Sequence, residues 1–433
     1  MKIAIIGSGI AGLAAAHQLR GQAELTLFEA GDYFGGHTHT VDVTLPGATG
    51  PVTHGVDTGF LVFNERTYPK LIALFAELGI ATARSDMSFS VQVPQAGGRA
   101  LEWSGSSLNT VFAQRRNLLN PRFLGMLREV LRFNVLATRL AESGEYTELM
   151  QPLSGFLEQH RFSEVFRDWY FLPMLGCIWS CPTDQMLQFP VATMIRFCHN
   201  HGLIQVSNRP QWWTVTGGAR HYVEKIVAGI ADKRLNTPVS SIRRDVHGVW
   251  VGSAGRQEHF DQIVLACHSD QALRLLTDAS PAERVTLGAI RYQPNLAVLH
   301  TDTGVLPRAR RAWAAWNYQR ATDAEQEQSQ VCLHYLLNLL QPLPFTQSVV
   351  VSLNPLQEIA PQHVLGSFEY EHPVFDLAAI EAQKQLPALQ GQRGTYFCGA
   401  WTGFGFHEDG LASGIDVARR IRYDATQVAR LAA

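Results

Sequence analysis

A turn of small residues, Gly7-Ser8-Gly9-Ile10-Ala11-Gly12, follows an apolar strand from Ile3 to Ile6 and opens a helix from about Ile10 to Arg20. Gly7 makes the turn, Gly9 lets the backbone approach a pyrophosphate, and Gly12 lets the helix pack on the strand. Free N–H groups and the dipole at the helix start favour the phosphates. A second strand, Glu24 to Phe28, ends at Glu29, whose carboxylate can accept both ribose hydroxyls. The order strand, turn, helix, strand, acid predicts dinucleotide binding. A glycine turn in a parallel sheet without ligand is the alternative.

Histidines supply the acid–base candidates. His37 and His39 alternate on an extended stretch and so point the same way. No acid or cysteine completes a metal set there, and a polar lining of the cofactor site is preferred. No metal site is predicted elsewhere. His407-Glu408-Asp409 offers a base and two carboxylates, for acid–base work or for loop capping. His199 and His201 close an aromatic stretch; either could be catalytic, but a capping or surface histidine is preferred. The six cysteines show neither zinc nor disulfide spacing and read as reduced, mostly buried thiols.

Several elements must position these groups. Tyr68 to Leu78 has helical apolar spacing and ends at Gly79. Leu45 to Pro51 reads as a loop. Phe89 to Val93 and Leu101 to Trp103 alternate as a hairpin. Asn120-Pro121 starts a helix to about Leu140. Arg115, Arg116, Arg122, Arg128, Arg132 and Arg139 lie in or beside it against Glu129 and Glu142. That is either the solvated face of a domain helix or a peripheral contact with an anionic bilayer. Arg161 to Phe197, rich in aromatics and Met, is broken into short helices by Pro173, Pro182 and Pro190; it is core, and suits a pocket for a long apolar substrate. Thr216 to Ile230 forms a helix behind Gly217-Gly218. Ile263 to His268 is a buried strand, with Ser269-Asp270 capping the helix Gln271 to Leu276. Strands are expected at Leu296 to His300, Val331 to Tyr335, Val349 to Leu353 and Gly394 to Cys398, and the last long helix at Gly410.

Four segments in order carry a family likeness: the opening motif with Gly35-Gly36; Gly55-Val-Asp-Thr-Gly-Phe-Leu61; Thr216-Gly-Gly-Ala-Arg220; and Tyr396-Phe-Cys-Gly-Ala-Trp-Thr-Gly-Phe-Gly405 with Gly410-Leu-Ala-Ser-Gly-Ile415. The chain resembles the amine oxidase, phytoene desaturase and protoporphyrinogen oxidase superfamily, and within it a bacterial group of FAD-dependent oxidoreductases. The resemblance implies an α/β architecture: a Rossmann-like FAD-binding domain of amine oxidase type (1–80, 205–280 and 390–433) with an interleaved α+β substrate-binding domain (81–204 and 281–389). It implies FAD contacts at Gly7 to Gly12, Glu29, Ala30, Gly35, Gly36, His37, Thr38, Asp57, Thr58, Gly59, Val239, Gly399 and Ala400. It further implies that Gly410, Leu411 and Ala412 aim backbone N–H groups at the flavin. Relatives that attach flavin covalently use a cysteine where Ala412-Ser413 stands here, so non-covalent FAD is implied. Flavin amine oxidases commonly carry a lysine on a substrate-domain strand. None of the five lysines here (Lys2, Lys70, Lys225, Lys233 and Lys384) falls on one. His300 ends the strand near that position and is a candidate base or proton relay, or simply a strand-end histidine bonded to backbone. His407 is the second catalytic candidate.

Net charge is −2, so no global field attracts nucleic acid. Charged residues are only 17%, which points to much buried surface or a greasy site. The first strand opens at the second residue, leaving no room for a leader, and no run of roughly 20 apolar residues could span a bilayer. A cytoplasmic protein is expected, with peripheral contact at the inner membrane face as the variant reading. The expected activity is hydride abstraction from an apolar, acyl- or lipid-like substrate, in desaturation or double-bond isomerisation. An amine oxidase and a flavin-bearing lipid carrier are the rivals, and no oligomeric state is legible.

Overall fold

The computed structural model describes residues 1–143, 149, 151–205, 209–323, 328 and 330–432. Strand β1 (Lys2–Ile6) lies between β2 (Glu24–Phe28) and Gln262–Leu265, with Ile5 opposite Leu27 on one side and Val264 on the other. Asp232–Arg234 and Thr395–Phe397 extend this parallel sheet to five strands. Its central strands are continuous apolar runs because helices and loops cover both faces. Helix α1 (Ile10–Leu19) is buried at every position except Gln18. The final helix, His407–Ala432, packs along it.

The second sheet has seven strands in the order Val364–Val374, Arg291–His300, Val350–Leu353, Cys332–Leu336, Trp316–Gln319, Phe89–Gln95 and Arg99–Ser104. Every pairing is antiparallel except that of Trp316–Gln319 with Phe89–Gln95, where two distant stretches of chain meet side by side. Pro294 is tolerated inside a strand because only Val364–Val374 pairs with it at that point. One long helix, Pro121–Ser143, and several short ones up to Asn200, including a π-helical turn at Arg167–Phe171, cap this sheet. Leu172–Trp179 packs directly on Trp316–Gln319. One continuous hydrophobic core runs from α1 through the aromatic stretch to the second sheet.

Three expectations shift. The loop expected at Leu45 to Pro51 is narrower, residues 47–50, and connects a hairpin of Thr40–Pro46 against Pro51–Asp57, with Pro46 opposite Pro51 at its closed end. The prolines close the ladder where no further N–H is needed. The helix after Leu265 begins at Ser269 itself, and His268 is the cap, its N–H donating to Gln271 Oε1 at 3.3 Å. The last helix begins at His407, not Gly410.

Helix α1 and the last helix approach through glycine. A Cβ on Gly414 would stand 2.1 Å from Ala11 O, a backbone atom that cannot swing aside. Gly414→Ala is therefore expected to cost about 1–3 kcal/mol and to lower the melting temperature. Gly125→Ala on the Pro121–Ser143 helix, where a Cβ meets nothing within 4 Å, is expected to gain up to about 1 kcal/mol. Thermal melts of the two variants in parallel check both signs.

Candidate functional site

A cavity of about 690 Å³ lies between the two sheets, within the range of small-molecule sites. One part is a cradle. Gly7, Ser8, Gly9, Ile10 and Ala11 line it at the C-terminal edge of the parallel sheet, with Glu29, Ala30, Gly35, Gly36, His37, Thr58, Gly59, Val239, Gly399 and Ala400. A Cβ on Gly9 would meet nothing within 4 Å, so the turn faces open space, while Gly36 backs onto the Gly9 backbone. Gly12 stands behind the cradle: a Cβ there would fall 2.0 Å from Gly7 O. Glu29 is fixed at the strand end. Its Oε2 accepts from Ser8 N–H (2.9 Å) and Ser8 Oγ (2.5 Å), and its Oε1 from Gly31 N–H (2.9 Å).

His37 enters the cradle wall with His268 and His372, at ring distances of 6.5 and 5.3 Å. Burial keeps His37 well below the ordinary histidine range and pushes His372 down to about 4. His37 Nε2 is buried without a hydrogen-bond partner among the described residues. A polar group seated in the cradle would satisfy it, so the residues present fit a dinucleotide with room and donors. Sequence reading missed His268 and His372. They come from the ends of separate strands, and only the fold brings them together.

His407 also lines the cavity. Its ring stacks on Phe60 at 3.8 Å, and Nε2 lies 2.6 Å from Tyr222 Oη and 3.3 Å from Thr38 Oγ1. Tyr222 and Thr38 are bonded to each other in turn, so Thr38 acts from behind the lining. Burial pulls His407 down to about 3 and holds the ring neutral. Its two neighbours are caps. Glu408 accepts from Lys70 and Leu71 N–H at the start of helix Pro69–Leu78. Asp409 accepts from Phe404 and Phe406 N–H (3.1 and 3.0 Å). That cap moves the helix start forward. Gly410 N–H bonds Phe406 O, so the N–H groups of Leu411 and Ala412 lie a turn inside the helix, where helix carbonyls take them. None of these three residues lines the cavity, and Gly410 serves packing instead, against Ile10. The open N–H groups belong to His407, Glu408 and Asp409.

Asp57 is buried and structural. It accepts from Ala219 N–H (2.9 and 3.1 Å), Thr40 Oγ1 and Gln341 Nε2 (2.7 Å). It thus pins the start of helix Arg220–Ala228 to the second domain. His300 does not reach the cavity. Its Nε2 lies 2.7 Å from Ser352 Oγ, which lies 2.7 Å from His334 Nδ1. Its Nδ1 accepts from Asp302 N–H. It belongs to a buried network inside the sheet.

The other part of the cavity is apolar. Phe197 stacks on His201 at 3.8 Å and on Phe406 at 4.5 Å. Met87, Met174 and Trp212 continue the wall, and Trp316, Tyr335 and Leu353 rise from the sheet. His201 is buried wall with Nδ1 bonded to Phe197 O at 2.9 Å, while His199 stays outside. No lysine lines the cavity. Its charged lining residues, Glu29, Arg274 and Glu371, sit on the cradle side. Cys177 and Cys267 line it as thiols, and burial pushes Cys267 up to about 12. Among the described residues no metal-binding cluster forms.

A parallel sheet with a glycine cradle and strand-end acid, sharing a cavity with an interleaved antiparallel domain, defines a two-domain oxidoreductase that binds a dinucleotide cofactor. The chain belongs to the flavin containing amine oxidoreductase family, which matches residues 10–303, and it is therefore a flavoprotein of that superfamily. The fold is similar to that of cyclohexylamine oxidase from Brevibacterium oxydans IH-35A (18% identity, TM-score 0.69, 98% of this chain and 99% of that one). It is also similar to a CLA-producing fatty acid isomerase from P. acnes (16%, 0.65, 96% and 98%). A third is putrescine oxidase bound to putrescine (14%, 0.65, 98% and 99%). No curated protein matches the chain.

The buried histidines set a pH dependence. His201, His300 and His372 are pushed down to about 4, and His334 and His407 to about 3. Between pH 6.5 and about 4 the unfolded chain binds protons that the folded chain refuses, so stability falls as pH falls, by roughly 2 kcal/mol per histidine from pH 7 to 5. Asp57 and Asp409, raised to about 6 by burial, oppose this between about pH 4 and 6 but are fewer. The melting temperature is expected to drop clearly from pH 7 to pH 5. A flat profile in scanning calorimetry would show that these rings are not held neutral.

Proposed function

We propose that this protein binds FAD non-covalently and removes hydride from a C–H bond of an apolar, acyl-like substrate, in desaturation or double-bond isomerisation. The observation that carries this reading is the charge distribution of the cavity. Among the described residues, every carboxylate and guanidinium in its lining stands at the cradle, and the aromatic part holds none. A long hydrocarbon gains free energy from such a wall, at about 25 cal/mol per Å² buried. A protonated amine would lose its hydration there without a carboxylate to replace it.

FAD is favoured because the cradle combines a phosphate-binding turn with a ribose-binding acid at Glu29 and a second strand edge at Val239. Non-covalent binding is supported by the lining thiols, which burial holds protonated. Bound FAD would supply the hydride acceptor. The chain's own part is to hold the substrate against it, exclude water through Phe197, Phe406 and Trp212, and keep His407 neutral by burial while Tyr222 and Thr38 orient its ring. His407 is the candidate for holding or moving a proton at Nε2. Isomerisation returns the hydride to another carbon and needs no external oxidant. Desaturation passes the electron pair to an acceptor such as dioxygen or a quinone.

Amine oxidation is the second reading. The family match and the cyclohexylamine and putrescine oxidases of like fold favour it, and aromatic faces can hold a cation. The absence, among the described residues, of a lysine from the cavity lining and of a carboxylate from its aromatic part stands against it.

Anaerobic addition of unsaturated acyl chains is expected to bleach the flavin absorption band or, for an isomerase, to move the double bond while the band stays oxidised. His407→Gln is expected to slow that reaction about 10²-fold or more while flavin content holds. Bleaching by amines alone, with no change in any acyl substrate, would overturn the proposal.

A further inference from the structure

The Pro121–Ser143 helix carries two apolar stripes. Phe123, Met126, Phe133 and Ala137 face inward and are buried. Leu124, Leu131 and Val135, spaced to fall on one line, face outward and are 42%, 57% and 73% exposed. The turn just ahead, Arg115–Leu119, adds Leu118 and Leu119, the latter 89% exposed. Folding does not need this outer stripe, because the inner one already fills the core. Five of the thirteen large hydrophobic side chains exposed on the described surface thus fall between residues 118 and 135.

Arginines flank the stripe. Arg122 lies over Trp169, and Arg132 lies over Phe162 and bonds the carbonyls of His160 and Arg161. Arg128 and Arg139 are exposed on the stripe's own side, and among the described residues neither has a hydrogen-bond or ion-pair partner. Of the nearby acids, Glu129 is taken by Ser163 and Arg132, and Glu142, exposed on the stripe's side near Arg139, leaves the two arginines in excess. Leucines that need an apolar phase and arginines that need anions, side by side, match the boundary between acyl chains and phosphate headgroups. A second copy of the chain would set these arginines against their own kind.

We propose that this surface docks the protein on a bilayer containing anionic phospholipid, with Leu119, Leu124, Leu131 and Val135 entering the acyl boundary and Arg128 and Arg139 meeting the headgroups. The inference stands apart from the substrate assignment. The two nonetheless adjoin, because the helix packs on Val191–Asn200, whose Phe197 forms part of the cavity wall.

The test is co-sedimentation of the full flavoprotein with phosphatidylcholine vesicles, with and without phosphatidylglycerol. Binding is expected only with the anionic lipid and weakens as salt rises. The double variant Arg128→Gln/Arg139→Gln is expected to bind about 30-fold less, at about 1 kcal/mol for each charge. Leu119→Ser/Val135→Ser should also lose binding. All four positions are exposed, so flavin content and melting temperature should match the parent. Should a variant misfold, the two vesicle compositions and the salt series on the parent protein decide alone. No sedimentation with anionic vesicles, equal sedimentation with neutral ones, or a dimer in light scattering that Leu119→Ser separates would overturn the proposal.

Discussion

The structure depends on backbone meeting backbone at the cradle. Gly12 brings α1 onto the Gly7 carbonyl, Gly414 brings the last helix onto the Ala11 carbonyl, and Gly36 lies on Gly9. The first two contacts leave no room for a side chain, and a Cβ on Gly36 would be tight, 3.2 Å from the Gly9 backbone. These contacts place three segments from the beginning and the end of the sequence around one opening, and every other site residue takes its position from them. Ser8 can reach Glu29 because the turn is this tight. His407 can face the cavity because the last helix is drawn against α1.

Charge is handled by the same economy of space. Much of the cavity's polar wall is imidazole, and burial keeps His37, His372 and His407 neutral. Asp57, the most buried carboxylate in this region, is surrounded by donors that fix two domains together.

Much of this was legible in the sequence, for local reasons. The glycine turn, Glu29 and the Gly35-Gly36 pair form a continuous stretch whose residue types have one good use. The helix ending at Gly79 announced itself by spacing and a left-handed cap (φ 62°). What escaped depended on distance. His268 and His372 join His37 only once strands from three parts of the chain are aligned. His300 looked catalytic by its place at a strand end, yet its side chain points to Ser352 on the neighbouring strand. The last helix was expected at Gly410 because glycine suggests a start. Asp409 caps the turn before it, and nothing short of the folded loop shows where that carboxylate reaches.

The parallel sheet bears on how the protein is made. Its first strand is Lys2–Ile6, and the strand that completes it is Thr395–Phe397, followed by the helix that packs on α1. During synthesis β1 can pair with Glu24–Phe28 almost at once, but its other partner, Gln262–Leu265, leaves the ribosome much later. The β1 edge must wait unpaired, and an apolar strand left waiting invites chaperones or misassociation.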